Sequence, residues 1–331
     1  MAAKTRYFVI ASLVVLMVGI GTGLVAYYVG FSPSPQSPAG GLDELRLIPR
    51  NASVVAYAGI HEVMISALRQ RLRDRLPITG DGQQELAEKT GINLESDVDY
   101  LVAGLVSSPA GQSVPAGAVV LVHGRFNDAR IVALMLDHGA EVQEYKGKRV
   151  IAAPAGSGPA GRLSLAFLGP ELVAIGSTEL VRAAVDLDKG GDSVTSNDEM
   201  MRLMRSLEPG NVWAIGRPES LRLQNSPLPS GLADQLSPIS RFGASGNIDS
   251  GIRGVLRAET RDEEAATSLR DVVRGFIAVA KIEVGSRPEL KAIVDSLDVR
   301  GTGTGVSLAF DVPLEALDLI GTTAPRAPKA R

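Results

Sequence analysis

Leu47-Ile48-Pro49-Arg50-Asn51, running into Val54-Val55-Ala56-Tyr57, reads as a proline turn followed by a short β-strand. The same reading returns at Leu207-Glu208-Pro209-Gly210-Asn211 before Val212-Trp213-Ala214-Ile215. The shared pattern is L-x-P-x-N and then a strand, and an ordered recurrence of this kind is the first sign of an internally repeated fold. Two further landmarks follow in the same order. Val119 to Phe126 passes through Asn127-Asp128 into an apolar helix from Ile131 to Leu136, as Val255 to Thr260 passes through Arg261-Asp262 into another helix. Ser164-Leu165-Ala166-Phe167 precedes Pro170, and Ser307-Leu308-Ala309-Phe310 precedes Pro313 with identical spacing. The order is kept while the offsets differ, which predicts two α+β repeats over residues 42–191 and 192–320 with insertions between their landmarks.

Helix starts come from capping boxes, in which a hydroxyl and a carboxylate satisfy otherwise unpaired N–H groups: Thr260-x-x-Glu263, Ser196-x-x-Glu199 and Ser286-x-x-Glu289. After Thr260, Ala266, Leu269, Val273, Phe276, Ile277 and Ala280 form a helical stripe, expected to face a core. Pro288 suits the first turn of a further helix, and one amphipathic helix is expected from Glu62 to Arg75. The strands at Ser164 to Leu168, Leu172 to Ile175 and Val306 to Val312 are separated by hairpin-sized spacers, which predicts antiparallel pairing. The expected fold class is therefore α+β, as tandem duplicated units of antiparallel sheet with helices on one face.

Upstream of this body, Tyr7 to Val29 contains no charged residue, and 18 of its 23 positions are apolar. As a helix it is about 34 Å long, enough for a hydrocarbon core of about 30 Å. Tyr7 and Phe8 at one end, and Tyr27, Tyr28 and Phe31 at the other, suit the two membrane interfaces. Lys4 and Arg6 precede the segment and the next basic residue is Arg46, so the positive-inside rule predicts a cytoplasmic N-terminus and an extracytoplasmic body. The stretch is too long for the apolar region of a cleaved signal peptide, and Phe31-Ser32-Pro33 makes a poor cleavage site. An uncleaved, single-pass signal anchor in the inner (plasma) membrane is expected, with residues 1–6 inside and the lipid bilayer as its first partner. Gly19-x-x-x-Gly23 adds a weak homodimer signal, since paired glycines let two helices approach closely. Residues 30–41 are a Pro/Ser/Gly tether and residues 321–331 a basic Ala/Pro-rich tail.

Composition narrows the function. With no cysteine there is no disulfide framework, thiolate nucleophile or Cys-ligated metal. The body from Leu42 to Ile320 carries 29 basic against 37 acidic residues, which gives no basic surface for nucleic acid. His61-Glu62 begins like an H-E-x-x-H zinc helix, but Ile65 stands where the second histidine is needed. His123 in a strand and His138 near a helix end are read as a hydrogen-bonded core histidine and a helix-terminal charge. No serine lies three residues before a lysine, and Gly243-Ala244-Ser245-Gly246 lacks the nucleophile-elbow spacing. Gly301-Thr302-Gly303-Thr304-Gly305 opens into a strand, whereas a phosphate loop opens into a helix N-terminus, so it is read as a hairpin. No catalytic, cofactor-binding or metal-binding residue is expected.

The run Ala174-Ile175-Gly176-Ser177-Thr178-Glu179-Leu180-Val181-Arg182-Ala183-Ala184-Val185-Asp186, with Ser196-Asn197-Asp198-Glu199 after it, resembles a family of uncharacterised bacterial single-pass membrane-anchored proteins with a duplicated α+β extracytoplasmic domain. The resemblance rests on caps and core positions over about a third of the chain. It implies a cell-envelope location and supplies no catalytic residues. The function expected is a non-enzymatic envelope module that binds a protein partner or supports an assembly. A lipid- or hydrophobe-binding module and an enzyme without a local motif are the alternatives.

Overall fold

The computed structural model describes residues 43–75, 88, 91–107, 117–155, 162–217, 238–283 and 288–313. The expected membrane span with Lys4, Arg6, Tyr7, Phe8, Tyr27, Tyr28 and Phe31, the Gly19/Gly23 pair, the tether and the tail lie outside these residues. Among the described residues no helix is long and apolar enough to cross a membrane.

Among the described residues twelve strands build one sheet. They are β1 (Val54–Ala58), β2 (Val98–Val106), β3 (Gly117–Gly124), β4 (Glu141–Tyr145), β5 (Lys148–Ala152), β6 (Leu163–Phe167), β7 (Leu172–Ser177), β8 (Val212–Gly216), β9 (Ile239–Ile248), β10 (Gly251–Thr260), β11 (Asp298–Arg300) and β12 (Gly305–Pro313). Their order is β11-β12-β10-β9-β8-β1-β2-β3-β7-β6-β5-β4, and every ladder is antiparallel, as expected. The strands of the two halves of the chain, β1 to β7 and β8 to β12, thus meet edge to edge through the β1–β8 pair, with Ala56 opposite Ala214. From that pair, β1-β2-β3 and β8-β9-β10 fan outward in the same order.

The register explains why the sheet holds together. One row crosses all twelve strands: Val142, Ile151, Leu165, Ile175, Val120, Ala103, Ala56, Ala214, Ala244, Leu256, Leu308 and Val299. One residue along, on the opposite face, Val150, Ala166, Ala174, Leu121, Val102, Tyr57 and Trp213 form a second row. Because side chains alternate across a strand, a sheet apolar in both rows must be covered on both sides.

Helices do cover both faces, which corrects the one-face expectation. On the first face lie α1 (Ile60–Ile65), α2 (Ala67–Arg75) and α4 (Asp128–Asp137), whose Ile60, Leu68, Ile131, Val132 and Met135 are buried against Ala103, Val120 and Ile175. The short α3 (Leu94–Asp97) leads into β2. On the second face lie the 3-10 turns Glu44–Leu47 and Val194–Ser196, with α5 (Thr178–Asp188) and α6 (Asp198–Arg205). Leu180, Val181, Ala184, Met200 and Leu203 fill that core against Tyr57, Val102 and Trp213. Over the β10–β12 end, α7 (Glu263–Glu283) and α8 (Pro288–Ser296) return to the first face, where Ala266 and Leu269 pack with Val306, Ala258 and Val299.

Several expected helix boundaries move, each for a local reason. The single helix expected from Glu62 to Arg75 breaks at Ser66, whose backbone is extended and whose hydroxyl donates to Val63 O at 2.7 Å and accepts from Arg69 N at 3.1 Å. The cap of α6 is Asn197, accepting from Met200 N at 3.2 Å, while Ser196 donates instead to Ser193 O and Asp192. The cap of α7 is Asp262, accepting from Ala265 N at 2.8 Å, because the Thr260 hydroxyl is engaged with Asp262 O and Thr304 O. Ser286 lies outside the described residues.

Candidate functional site

Three places concentrate chemistry or exposed apolar surface. The first is an aromatic ladder on the second face. Trp213, Tyr57, Tyr100 and His123 come from β8, β1, β2 and β3, with ring centroids 5.9, 5.8 and 4.7 Å apart along the series. The Tyr100 hydroxyl donates to Glu44 Oε1 at 2.8 Å, and the other oxygen of this buried carboxylate has no partner. Burial first, then the carboxylates of Glu62 and Glu44, push the Tyr57 phenol up to about 12. A phenol at that value stays protonated at neutral pH and is a poor base. His123 Nδ1 lies 3.1 Å from Asp99 Oδ2, so it is the hydrogen-bonded histidine expected from its strand. Through Tyr100 the ladder ties the 3-10 turn at Glu44 to β2.

The second place is a cleft of 280 Å³ between the C-terminal end of α6 and the β9-β10-β12 strands. Leu203, Ser206, Gly243, Arg241, Arg257 and Glu259 line it, with the Gly301–Gly305 hairpin at its rim. Arg241 binds Glu199 and, at 3.0 Å, Glu259; Arg217 reaches Glu199 at 3.4 Å and Arg257 reaches Glu208 at 3.2 Å. The hydrogen bond that Arg241 donates to Glu199 holds the Glu199 carboxyl below the usual carboxylate range, and the same bond raises Arg241. Arg217 and Arg241 share Glu199, and Arg241 reaches Glu259 as well, which joins α6 to β9 and β10; the separate Arg257–Glu208 pair leaves the buried Arg257 Nε without a partner among the described residues.

The third place is the outer half of α7. Its first turns are docked: Ala266 and Leu269 are buried and Val273 is half-buried. Beyond Val273 the helix is covered only in part: Ile277 and Ala280 are half-buried, and Lys281 reaches Asp295 of α8 at 3.7 Å. Phe276, Val279 and Ile282 are 57, 57 and 80% exposed, against the expectation that Phe276 faces the core. A Cβ placed on Gly275, on the same side, would meet nothing within 4 Å. At 100° per residue these four positions share one sector roughly 120° wide, which adjoins the sector of Ala266, Leu269 and Val273, with Phe276 about 20° round the helix from Leu269.

The remaining candidates are dispersed. His61 Nδ1 contacts Glu95 O at 3.2 Å and His138 Nδ1 contacts Leu134 O at 2.7 Å, the latter at the end of α4. These sites are separate from His123, and no group of three His, Asp or Glu among the described residues could hold a metal ion. The Gly301–Gly305 loop links β11 to β12 as the hairpin expected. Gly176 has a structural reason, since a Cβ there would lie 2.2 Å from Ala118 O and force β7 away from β3 where α5 begins.

No family model matches the chain, and no curated protein matches it. Solved structures of a protein designated TP0453 do. Its crystal form I matches at 10% identity with a TM-score of 0.45, covering 87% of this chain and 99% of that chain. Crystal form IV matches at 10% identity with a TM-score of 0.42, covering 89% and 99%. Both scores are too low for the likeness to bear on function.

Proposed function

We propose that the chain is a single-pass, membrane-anchored protein of the bacterial envelope whose extracytoplasmic body acts by binding and not by catalysis. The observation that carries this reading is the uncovered apolar ridge of Phe276, Val279 and Ile282 on α7. Ile65, Leu136, Val142 and Leu256 are exposed singly on other elements, whereas these three share one sector of one helix, and contiguous apolar side chains left in water mark a contact surface. The apolar Tyr7–Val29 segment, with Lys4 and Arg6 before it, supports the anchor and its orientation. Against an enzyme stand the paired charges of the cleft and the raised Tyr57 phenol. A hydrophobe held between sheet and helices has less support, because both of those spaces are filled by packed cores. A photo-crosslinking residue at Val279 of the full chain in intact membranes tests the reading. A protein or lipid adduct is expected, and a probe that reacts only with water ends the proposal. Protease added outside spheroplasts should leave a short N-terminal membrane fragment, and complete protection of the body would refute the orientation.

We also infer a duplication behind the two halves. The matching fans of strands from the central pair support it, as does the helix that follows each third strand on the same face, α4 after β3 and α7 after β10. The Ser-Leu-Ala-Phe match adds nothing, since it falls on β6 and β12, which hold different places in the sheet. Residues 42–191 alone should pair through the freed edge of β1 as a dimer, and a soluble monomeric half would count against the inference.

A further inference from the structure

We propose that the aromatic ladder of the second face is a one-electron relay: Trp213, when oxidised, recovers an electron from Tyr100 through the Tyr57 ring, while Tyr100 yields its proton to Glu44.

Three of the four Tyr and Trp residues between Leu42 and Ile320 stand in this ladder, on the adjacent strands β8, β1 and β2. The sheet register brings them together. Tyr57 is paired with Trp213 on one side and with Val102 on the other, and Tyr100, two residues from Val102, is its diagonal neighbour. The Trp213 and Tyr57 rings are stacked with planes 13° apart and centroids at 5.9 Å, and Tyr100 follows at 5.8 Å. Rings at such separations are in π contact, so an electron crosses the series in short steps.

The two phenols differ in what their protons can do. The Tyr100 hydroxyl donates to Glu44 Oε1 at 2.8 Å, within reach for proton transfer. Glu44 is buried and its Oε2 has no partner, so taking up the proton removes an incompletely paired charge from the core. Tyr57, whose phenol is held protonated by burial and by the carboxylates of Glu62 and Glu44, remains a bridge. A phenol that sheds its proton as it loses an electron becomes a neutral radical, which makes Tyr100 the terminus.

Electrons and protons balance at each step. A diffusible one-electron radical oxidant takes an electron from Trp213 and leaves the radical cation. An electron from Tyr100 restores Trp213, the Tyr100 O–H bond breaks, its proton forms the O–H bond of neutral Glu44, and a phenoxyl radical remains. A small one-electron donor then reduces that radical, and Glu44 returns the proton. The oxidising equivalent thereby leaves a core shared with Met200 for a half-buried ring stacked on the part-exposed His123.

The chain has one tryptophan, which makes the test direct. Trp213 of the full chain in detergent micelles is photoionised by a laser flash at the red edge of indole absorption, with nitrous oxide and tert-butanol removing ejected electrons and hydroxyl radicals. Transient absorption should show the indolyl radical decaying into a tyrosyl radical at a rate independent of protein concentration. Indolyl decay without tyrosyl growth, or a rate that scales with concentration, overturns the proposal, and this measurement on the native chain decides even where a variant does not fold. Tyr100→Phe should lower the tyrosyl yield several-fold and prolong the indolyl radical. Tyr57→Phe, which keeps the bridging ring, and Tyr145→Phe, on the far edge strand β4, should leave the yield near its native value. Glu44→Gln should slow the transfer several-fold and abolish its solvent deuterium isotope effect. Native yield in folded Tyr100→Phe, native rate in folded Glu44→Gln, or loss of the tyrosyl signal in folded Tyr57→Phe overturns the assignment.

Discussion

α5 and α7 begin alike and end differently. Both follow directly or closely on a strand, and both present an apolar face to the sheet. Over its 11 residues α5 buries Leu180, Val181, Ala184 and Val185, so its apolar stripe and its cover have the same length. α7 runs for 21 residues, about 31 Å, and its fully buried residues, Ala266 and Leu269, lie in its first half, with only Ile277 and Ala280 half-buried beyond Val273. The difference shows that amphipathic periodicity sets which side of a helix can be buried, while the extent of the neighbouring sheet sets how much of it is. Where the stripe is longer than the sheet, the surplus becomes surface.

The sharpest way to break this comparison is one substitution in each helix. Val181→Asp places an unpaired carboxylate at a fully buried position and should cost at least about 3 kcal/mol, enough to unfold a marginal domain. Val279→Asp on the exposed ridge should stay within about 0.5 kcal/mol. Urea midpoints of the two variants decide it, and a comparable loss at both would mean that the ridge is structural. Leu269→Ala, in the docked half of α7, should cost about 2–4 kcal/mol by the same measurement, because the residue is 8% exposed and fills the small core with Val306. Asp262→Ala removes the observed α7 cap and should cost about 1 kcal/mol. Gly275→Ala should stabilise by up to about 1 kcal/mol, since the added methyl meets no neighbour and the helix loses its most flexible residue. A loss there would reveal a neighbour on the bare face.

The smallest effect concerns the ion pair between α6 and β9. Glu199 has a lower pKa folded than unfolded because of Arg241, so its stabilising contribution is complete above the ordinary glutamate value of about 4.3 and is lost as pH falls toward the folded value. The urea midpoint of the native chain should therefore fall more steeply in acid than that of Glu199→Gln. Parallel curves would show that the ion pair contributes nothing.

Strands β1, β3, β6, β7, β8, β10 and β12 were legible because aliphatic runs ended in Pro, Gly or Asn. β9 was not, since its centre is Gly243-Ala244-Ser245-Gly246, a sequence with weak strand preference that is held by ladders on both sides. Glu141–Tyr145 hid for the opposite reason: as an edge strand it is charged and half solvated. Both-face burial is encoded in Val54-Val55-Ala56-Tyr57, which is apolar without alternation, a pattern of strands covered on two sides. The caps at Asn197 and Asp262 show the limit of motif spacing, as each competes with a hydroxyl one or two residues earlier. The ridge at Phe276 was invisible because a helical period carries no mark of where the neighbouring sheet stops.

The chain enters its fold at the middle of the sheet and not at a margin. β1 is bonded on both sides, to β2 and to β8, within a few residues of Glu44–Leu47. A pull transmitted along the N-terminal segment is then directed along a strand clamped by two ladders, which must shear together before either opens. An edge strand such as β4 would instead peel one bond at a time. By this placement of β1, the body would resist tension applied at its N-terminal end.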